Sequence, residues 1–313
     1  MTPTDQKTFE KLSERLNAYE ALHGPLPGIA DPAARRTILR QMIDSLRRVR
    51  YVKTIMEREI SPRRADPQDE MFDPVKAAVL AHRDGDVEEA CWLVFLFVHF
   101  GRHSTGGYRY IRDVYGRLGE PPPWRWTEVS SDPNGFRDWL RDNQNQIKDS
   151  ELPGGFGNHR KYQSLDADIA NGTGEAVTTY VAWVMDRGSH QQLMDHANES
   201  TNNDPREAFG VLYHSMNEVA SFGRLARFDY LTMIGKLELA NLEPGSVYLA
   251  GASGPTSGAK LLFAEADDPP LTTGEMETQM NQLADHLQIG MQVAEDSICN
   301  WQKSPNSFKP VRV

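Results

Sequence analysis

The segment Gly154–Ser164, GGFGNHRKYQS, gathers flexible backbone, an amide, an imidazole, two cations and a phenol in one short loop. That composition suits a place where a charged ligand is gripped. Arg160 can hold phosphate oxygens bidentately and Lys161 adds a point charge. Asn158 or Gln163 can read a base edge, with the His159 imidazole among them. A turn whose polar residues cap neighbouring helices would employ the same residues differently. A second concentration is Val293–Pro305, VAEDSICNWQKSP, where Ile298 and Trp301 would anchor a helix while Asp296, Asn300 and Lys303 line another side. A carboxylate near a cation there can act as a general base or stabilise a cationic intermediate. An amphipathic helix with an internal salt bridge accounts for the same pattern.

Between these two lies Ser221–Phe263, which runs a cationic, aromatic helix into a glycine-rich turn and out into another helix. Gly251, Gly254 and Gly258 allow backbone conformations and close approaches that a Cβ would hinder. The helix start that follows would present unsatisfied N–H groups towards an anion. Gly254 and Gly258 are therefore candidates for contact with a phosphate backbone. In Val98–Arg109, His99 and His103 are four residues apart, as metal ligands on one helix face can be. No nearby carboxylate completes the pattern, and Gly101 with Gly106 and Gly107 signals a helix end. The expectation is a packed His99, a solvent-facing His103, no metal and no cofactor. Trp124, Trp126 and Trp139 can stack on an extruded base or fill a core.

The scaffold that must position these groups reads as all-α. With 313 residues, 39% of them hydrophobic, the chain can bury a substantial core in one large or two smaller domains. Helices are predicted over Thr4–His23, Ala33–Glu59, Pro74–Arg83, Val87–Phe100, Tyr108–Leu118, Phe136–Gln146 and Glu175–Asp186. Two more cover Pro205–Lys236, interrupted near Phe222, and Gly274–Lys303. The proline-rich stretch Ser61–Pro74 divides an N-terminal helical arm, residues 1–66, from a body over residues 67–313, unless it is an ordered surface loop within one continuous domain.

The formal charge of −10 argues against a protein coated in nucleic acid but leaves room for a local basic groove. The strongest positive excess runs from Arg35 to Arg64. On a helix, Arg36, Arg40, Arg47 and Arg50 would share a stripe while Ile38, Met42, Leu46 and Val49 face inward. That stripe is either a phosphate-binding face or a solvated face paired with acidic residues. Cys91 and Cys299 belong to no paired metal motif and read as reduced core thiols. The longest apolar run, Cys91–Phe100, is too short to span a membrane, and MTPTDQKTFEK lacks a signal-peptide core, so a cytoplasmic location is expected.

Several longer strings occur together in one order: RRVRYV at Arg47–Val52, ISPRRADP at Ile60–Pro67, FDPVKAA at Phe72–Ala78 and WLVFLFVHFG at Trp92–Gly101. They continue with GGFGNHRKYQSL at Gly154–Leu165, SFGRLARFDYLTMIGKL at Ser221–Leu237, YLAGASGPTSGAKLLF at Tyr248–Phe263 and EDSICNWQKSP at Glu295–Pro305. By these strings the sequence resembles the third clade of the alpha-glutamyl/putrescinyl thymine pyrophosphorylases, a helix-hairpin-helix DNA-glycosylase-like family. The resemblance implies a glycosylase-like helical fold, DNA as partner with a flipped modified pyrimidine, and a small amine as co-substrate. It also implies a reaction in which the amine, an amino acid or polyamine, replaces the pyrophosphate of a pyrophosphorylated 5-hydroxymethyl-pyrimidine. Within it, Arg160, Lys161, Arg224 and Arg227 are candidates for the anion, and Asp229 and Asp296 for the proton or for orienting the amine. Lys236 and Lys303 serve equally as structural ion-pair partners. A base-excising glycosylase and a non-catalytic DNA-binding or defence module remain as alternatives. The glycine turn from Gly251 to Gly258 is longer and poorer in cations than a glycosylase hairpin. Of Asp267, Asp268 and Asp285, which follow it, none is singled out by its setting, which favours group transfer over base excision.

Overall fold

Side-chain caps and first-turn prolines start most of the helices. Thr2 and Asp5 form a capping box on either side of Pro3, and Thr272 with Glu275 forms another. Asp73, Asp86, Asp132, Ser189 and Asp204 each accept a backbone N–H at a helix start. In the computed structural model, which describes residues 1–264 and 269–311, the first helices are α1 (Pro3–His23), α2 (Pro32–Glu57), α3 (Pro74–Arg83), α4 (Val87–Phe100) and α5 (Arg109–Tyr115). They are followed by α6 (Trp126–Ser131), α7 (Pro133–Lys148), α8 (Thr173–Met185), α9 (His190–Ser200) and α10 (Pro205–Ser215). The last are α11 (Arg224–Lys236), α12 (Ser253–Phe263), α13 (Thr273–Leu287) and α14 (Met291–Trp301). Among the described residues there is no strand, and the fold is all-α. Asp267 and Asp268 lie outside the described residues.

α3 and α4 begin and end as their sequence signals predict. The predicted helix Gly274–Lys303 is instead two, because Gln288 and Gly290 adopt left-handed backbone (φ 54° and 76°) and part α13 from α14. The predicted interruption near Phe222 separates α10 from α11, where Ser221 has φ 64°. The short α6 and the polar α9 lie outside the predicted helices.

The chain divides into two compact units, residues 1–52 with 244–313, and residues 53–243. The expected boundary at 66/67 falls inside the second of these. In the first unit, Leu12 and Leu16 of α1 and Ile38 and Met42 of α2 share a core with Leu283, Leu287, Ile298 and Trp301. Here the glycines of α12 have a packing role. A Cβ on Gly258 would stand 2.4 Å from the Ile298 carbonyl oxygen of α14, and one on Gly254 would stand 2.8 Å from Cys299 Sγ. Both lie within the helix rather than in the turn before it, and their bareness lets α12 close onto α14. Of the basic stripe of α2, Arg47 pairs with Asp5, and beside the stripe Arg35 pairs with Glu20 and Arg48 with both Asp44 and Asp296. Arg40 stands 4.1 Å over the Phe308 ring. For Arg35, Arg47 and Arg48 the paired-face reading holds.

The second unit is built around α4, whose sequence is apolar on every side and is accordingly buried on every side. Phe95 packs face to face with Tyr180 of α8 at 3.9 Å between ring centroids and with Phe222 at 4.9 Å. Trp124 and Trp126 belong to this core, Trp139 packs edge-on to Trp124, and the Trp92 indole donates to the Trp124 carbonyl at 2.8 Å. Trp124 and Trp126 are therefore core residues, closed to an extruded base.

Candidate functional site

α4 ends at Gly101 (φ 66°), against which Gly157 is pressed: a Cβ on Gly101 would lie 3.2 Å from Gly157 Cα. The Gly157 N–H donates to the Phe100 carbonyl at 2.7 Å. This junction delivers a single 3-10 turn, residues 158–160, onto the end of α4 and sends the Arg160 side chain inward. Arg160 is buried. Its Nε donates to the Val98 carbonyl at 2.6 Å and its Nη2 to Asp229 Oδ2 at 2.8 Å. The Asp229 side chain, by contrast, is 38% exposed. A buried guanidinium thus underlies a carboxylate that solvent can reach. Asn158, His159, Lys161 and Tyr162 are exposed beside it, and Gln163 ties the loop to the approach of α11 by donating to the Ser221 carbonyl at 3.2 Å.

The fold therefore brings the Gly154–Ser164 loop and α11 together, joining Arg160 to Asp229. With Nε and Nη2 engaged, Arg160 holds the carboxylate in place rather than offering its full fork to solvent. Arg224, on the first turn of α11, lies 5.0 Å over the Phe228 ring. Arg227 points to α10, stacking over Tyr213 at 4.5 Å and donating to the Tyr213 carbonyl and to Asn217.

The remaining candidates, Gly254, Gly258, Asp296 and Lys303, lie in the other unit. Asp296 accepts from Arg48 of α2 through Oδ2 and from Asn300 through Oδ1 at 2.8 Å, and Lys303 donates to Asn300 at 3.0 Å. These contacts tie α14 to α2.

Sequence reasoning missed a buried polar chain that ends one residue along from Asp229. The His190 ring donates from Nδ1 to Glu88 at 2.7 Å, since the carboxylate can only accept. Its Nε2 must then accept from Tyr180 at 2.7 Å. Because Tyr180 has one proton, Tyr230 donates to Tyr180 at 2.9 Å. The array crosses from α4 through α9 and α8 to α11, where Tyr230 adjoins Asp229. Burial raises Glu88, but the His190 ring and the backbone N–H groups of His190 and Gln191 outweigh it and hold the carboxyl at about 2. Burial lowers the His190 imidazole, and Glu88 offsets that only in part, so His190 is neutral at pH 7. No spacing rule links Glu88 to residues this far along the chain.

His99, one residue from the Val98 carbonyl that Arg160 grips, is also buried. Thr173 donates its one hydroxyl proton to the Ser164 carbonyl at 3.0 Å, so His99 Nε2 is the donor to Thr173, also at 3.0 Å. Burial, and after it the Arg160 cation, hold the His99 pKa at about 3. An unfolded imidazole takes up a proton below about pH 6.5, whereas the folded one refuses it down to about 3. Stability is thus full above the unfolded pKa and falls as pH drops through that window, by up to about 5 kcal/mol at its foot. His99→Gln retains a donor for Thr173 and should flatten this acid limb in urea denaturation followed between about pH 7 and pH 4. An unchanged pH slope would contradict a neutral His99. His103 lies beyond Gly101 in a tight loop, its Nδ1 accepting from the Gly106 N–H at 3.0 Å. Among the described residues no group of three or more His, Cys, Asp or Glu side chains is placed to hold a metal, and no helix is long and apolar enough to cross a membrane.

The family model described as alpha-glutamyl/putrescinyl thymine pyrophosphorylase clade 3 matches residues 33–313. The chain belongs to this family. The matched range takes in both groups of candidate residues and most of the helices, leaving α1 outside it. The name of the alpha-glutamyl/putrescinyl thymine pyrophosphorylases implies a pyrophosphorylase acting on a modified thymine. No curated protein and no solved structure matches the chain.

Proposed function

We propose that the protein acts on DNA, transferring an amine onto a pyrophosphorylated 5-hydroxymethyl-pyrimidine base with release of pyrophosphate. Membership of the thymine pyrophosphorylase family supports the leaving group and the base. The observation that carries the reading is the Arg160–Asp229 pair, a carboxylate open to solvent and held from beneath by a buried cation. In the transfer, the amine nitrogen forms a bond to the exocyclic methylene carbon and the carbon–oxygen bond to pyrophosphate breaks. Pyrophosphate leaves with the electron pair. The ammonium formed must lose a proton, which Asp229 accepts through the oxygen that Arg160 does not hold. Arg224, on the same helix as Asp229, is the cation assigned to offset the charge that grows on the leaving pyrophosphate. The target base has to leave the duplex to reach them. In this reading Asp296 supports α14 through Arg48 and Asn300.

Nucleoside mass spectrometry tests the proposal. DNA carrying thymine, 5-hydroxymethyluracil or its pyrophosphorylated form is incubated with the protein and a pool of amino acids and polyamines. The expected result, on the pyrophosphorylated DNA alone, is a nucleoside heavier than its 5-hydroxymethyl counterpart by one amine less water, with pyrophosphate released in equal amount. Free base and abasic sites would indicate a glycosylase instead. DNA bound but returned unaltered, with each donor tried, would indicate a binding module.

A further inference from the structure

Two features of the loop after Arg160 remain unused by the chemistry above. Tyr162 is 91% exposed, the most exposed large hydrophobic side chain among the described residues. Lys161 Nζ stands 5.0 Å over its ring. An aromatic ring left this far in water forfeits its burial, so it marks a partner surface more often than a lone exposed aliphatic residue does. Its mounting is firm. Arg160, immediately before Lys161, is pinned to Val98 and Asp229, and after the ring the Gln163 N–H donates to the Arg160 carbonyl at 2.9 Å. The ring therefore stands out from a fastened turn.

The surroundings specify the partner's chemistry. Gly154–Ser164 contains no carboxylate, although the chain as a whole carries −10. Asn158, His159 and Lys161 are exposed in the same loop, where Lys161 supplies a cation and Asn158 a donor. A polyanion that also offers flat apolar faces fits this island, and a nucleic-acid strand offers both at every residue. We infer that Tyr162 stacks on a nucleobase of the bound DNA strand while Lys161 contacts the adjoining phosphate, so that the turn holds the strand beside Asp229. This rests on the proposed action on DNA and adds the residues that grip the strand.

The test measures affinity for a short duplex carrying 5-hydroxymethyluracil, by fluorescence anisotropy across a salt series, for the full-length protein and three variants. Tyr162→Ala should weaken binding roughly 10- to 100-fold with the slope of log affinity on log salt unchanged. Tyr162→Phe, which keeps the stacking face, should stay within about threefold. Lys161→Gln should weaken binding and reduce the salt slope by about one phosphate contact. If the unaltered protein binds the duplex and Tyr162→Ala binds equally well, the stacking assignment is overturned while the action on DNA stands. If the unaltered protein shows neither salt-dependent affinity for the duplex nor modification of its bases, the DNA reading fails and this inference fails with it. Because the side chains changed are exposed, loss of folding does not intervene.

Discussion

Replacing Arg160 with methionine should lower the stability of the protein by about 3 kcal/mol, because the side chain is a buried tie and not a surface cation. Its Nε satisfies the Val98 carbonyl at the end of α4, and an acceptor left bare there costs about 1–3 kcal/mol. Its Nη2 meets Asp229, whose share is discounted because that carboxylate is 38% exposed and water can replace the lost partner. The turn over residues 158–160 loses the anchor that seats it. Lysine should not restore the stability, since one ammonium on a flexible stem cannot replace the fork that reaches Val98 and Asp229 together. Urea denaturation of wild type, Arg160→Met and Arg160→Lys measures this directly. A methionine variant within about 0.5 kcal/mol of wild type would show that Arg160 is an ordinary surface group.

That Arg160 matters could be read from its loop, but what it does could not. A short segment with glycines, two cations and a phenol stands out in any scan, and the structure makes it the floor and rim of the candidate site. Its partner Asp229 is 69 residues further on, in a helix whose own sequence gives no sign of facing that loop. The array from Glu88 to Tyr230 was hidden for the same reason, since its members come from four helices and meet only after the core forms. Local signals succeeded where the physics is local. Asp73 before Pro74, and Asp86 with Gly101 around the apolar run, set the ends of α3 and α4. They failed at Gln288–Gly290, where apolar spacing continues across a backbone reversal. Gly254 and Gly258 illustrate a further limit. A missing Cβ permits close approach, and sequence does not say whether a phosphate or another helix approaches. In this fold it is α14.

Asp229→Asn should lower the rate of amine transfer roughly 10²- to 10⁴-fold, the range that a positioned general base contributes. The amide keeps an oxygen for Arg160, so the tie to α4 survives and thermal stability should hold to within about 1 kcal/mol. Affinity for DNA should hold as well, because the grip proposed for the strand lies in the loop beside the carboxylate. The same change at Asp296 provides the contrast. Asp296 accepts from Arg48 and Asn300 at once, so Asp296→Asn should register in unfolding and leave the turnover of the folded fraction close to wild type. Single-turnover rates on pyrophosphorylated DNA, taken together with urea midpoints for both variants, separate proton transfer from scaffolding. Equal rate losses at the two positions would remove the reason for assigning the proton to Asp229. A loss at Asp296 alone would move the chemistry to α14, where Asn300 and Lys303 stand beside the carboxylate.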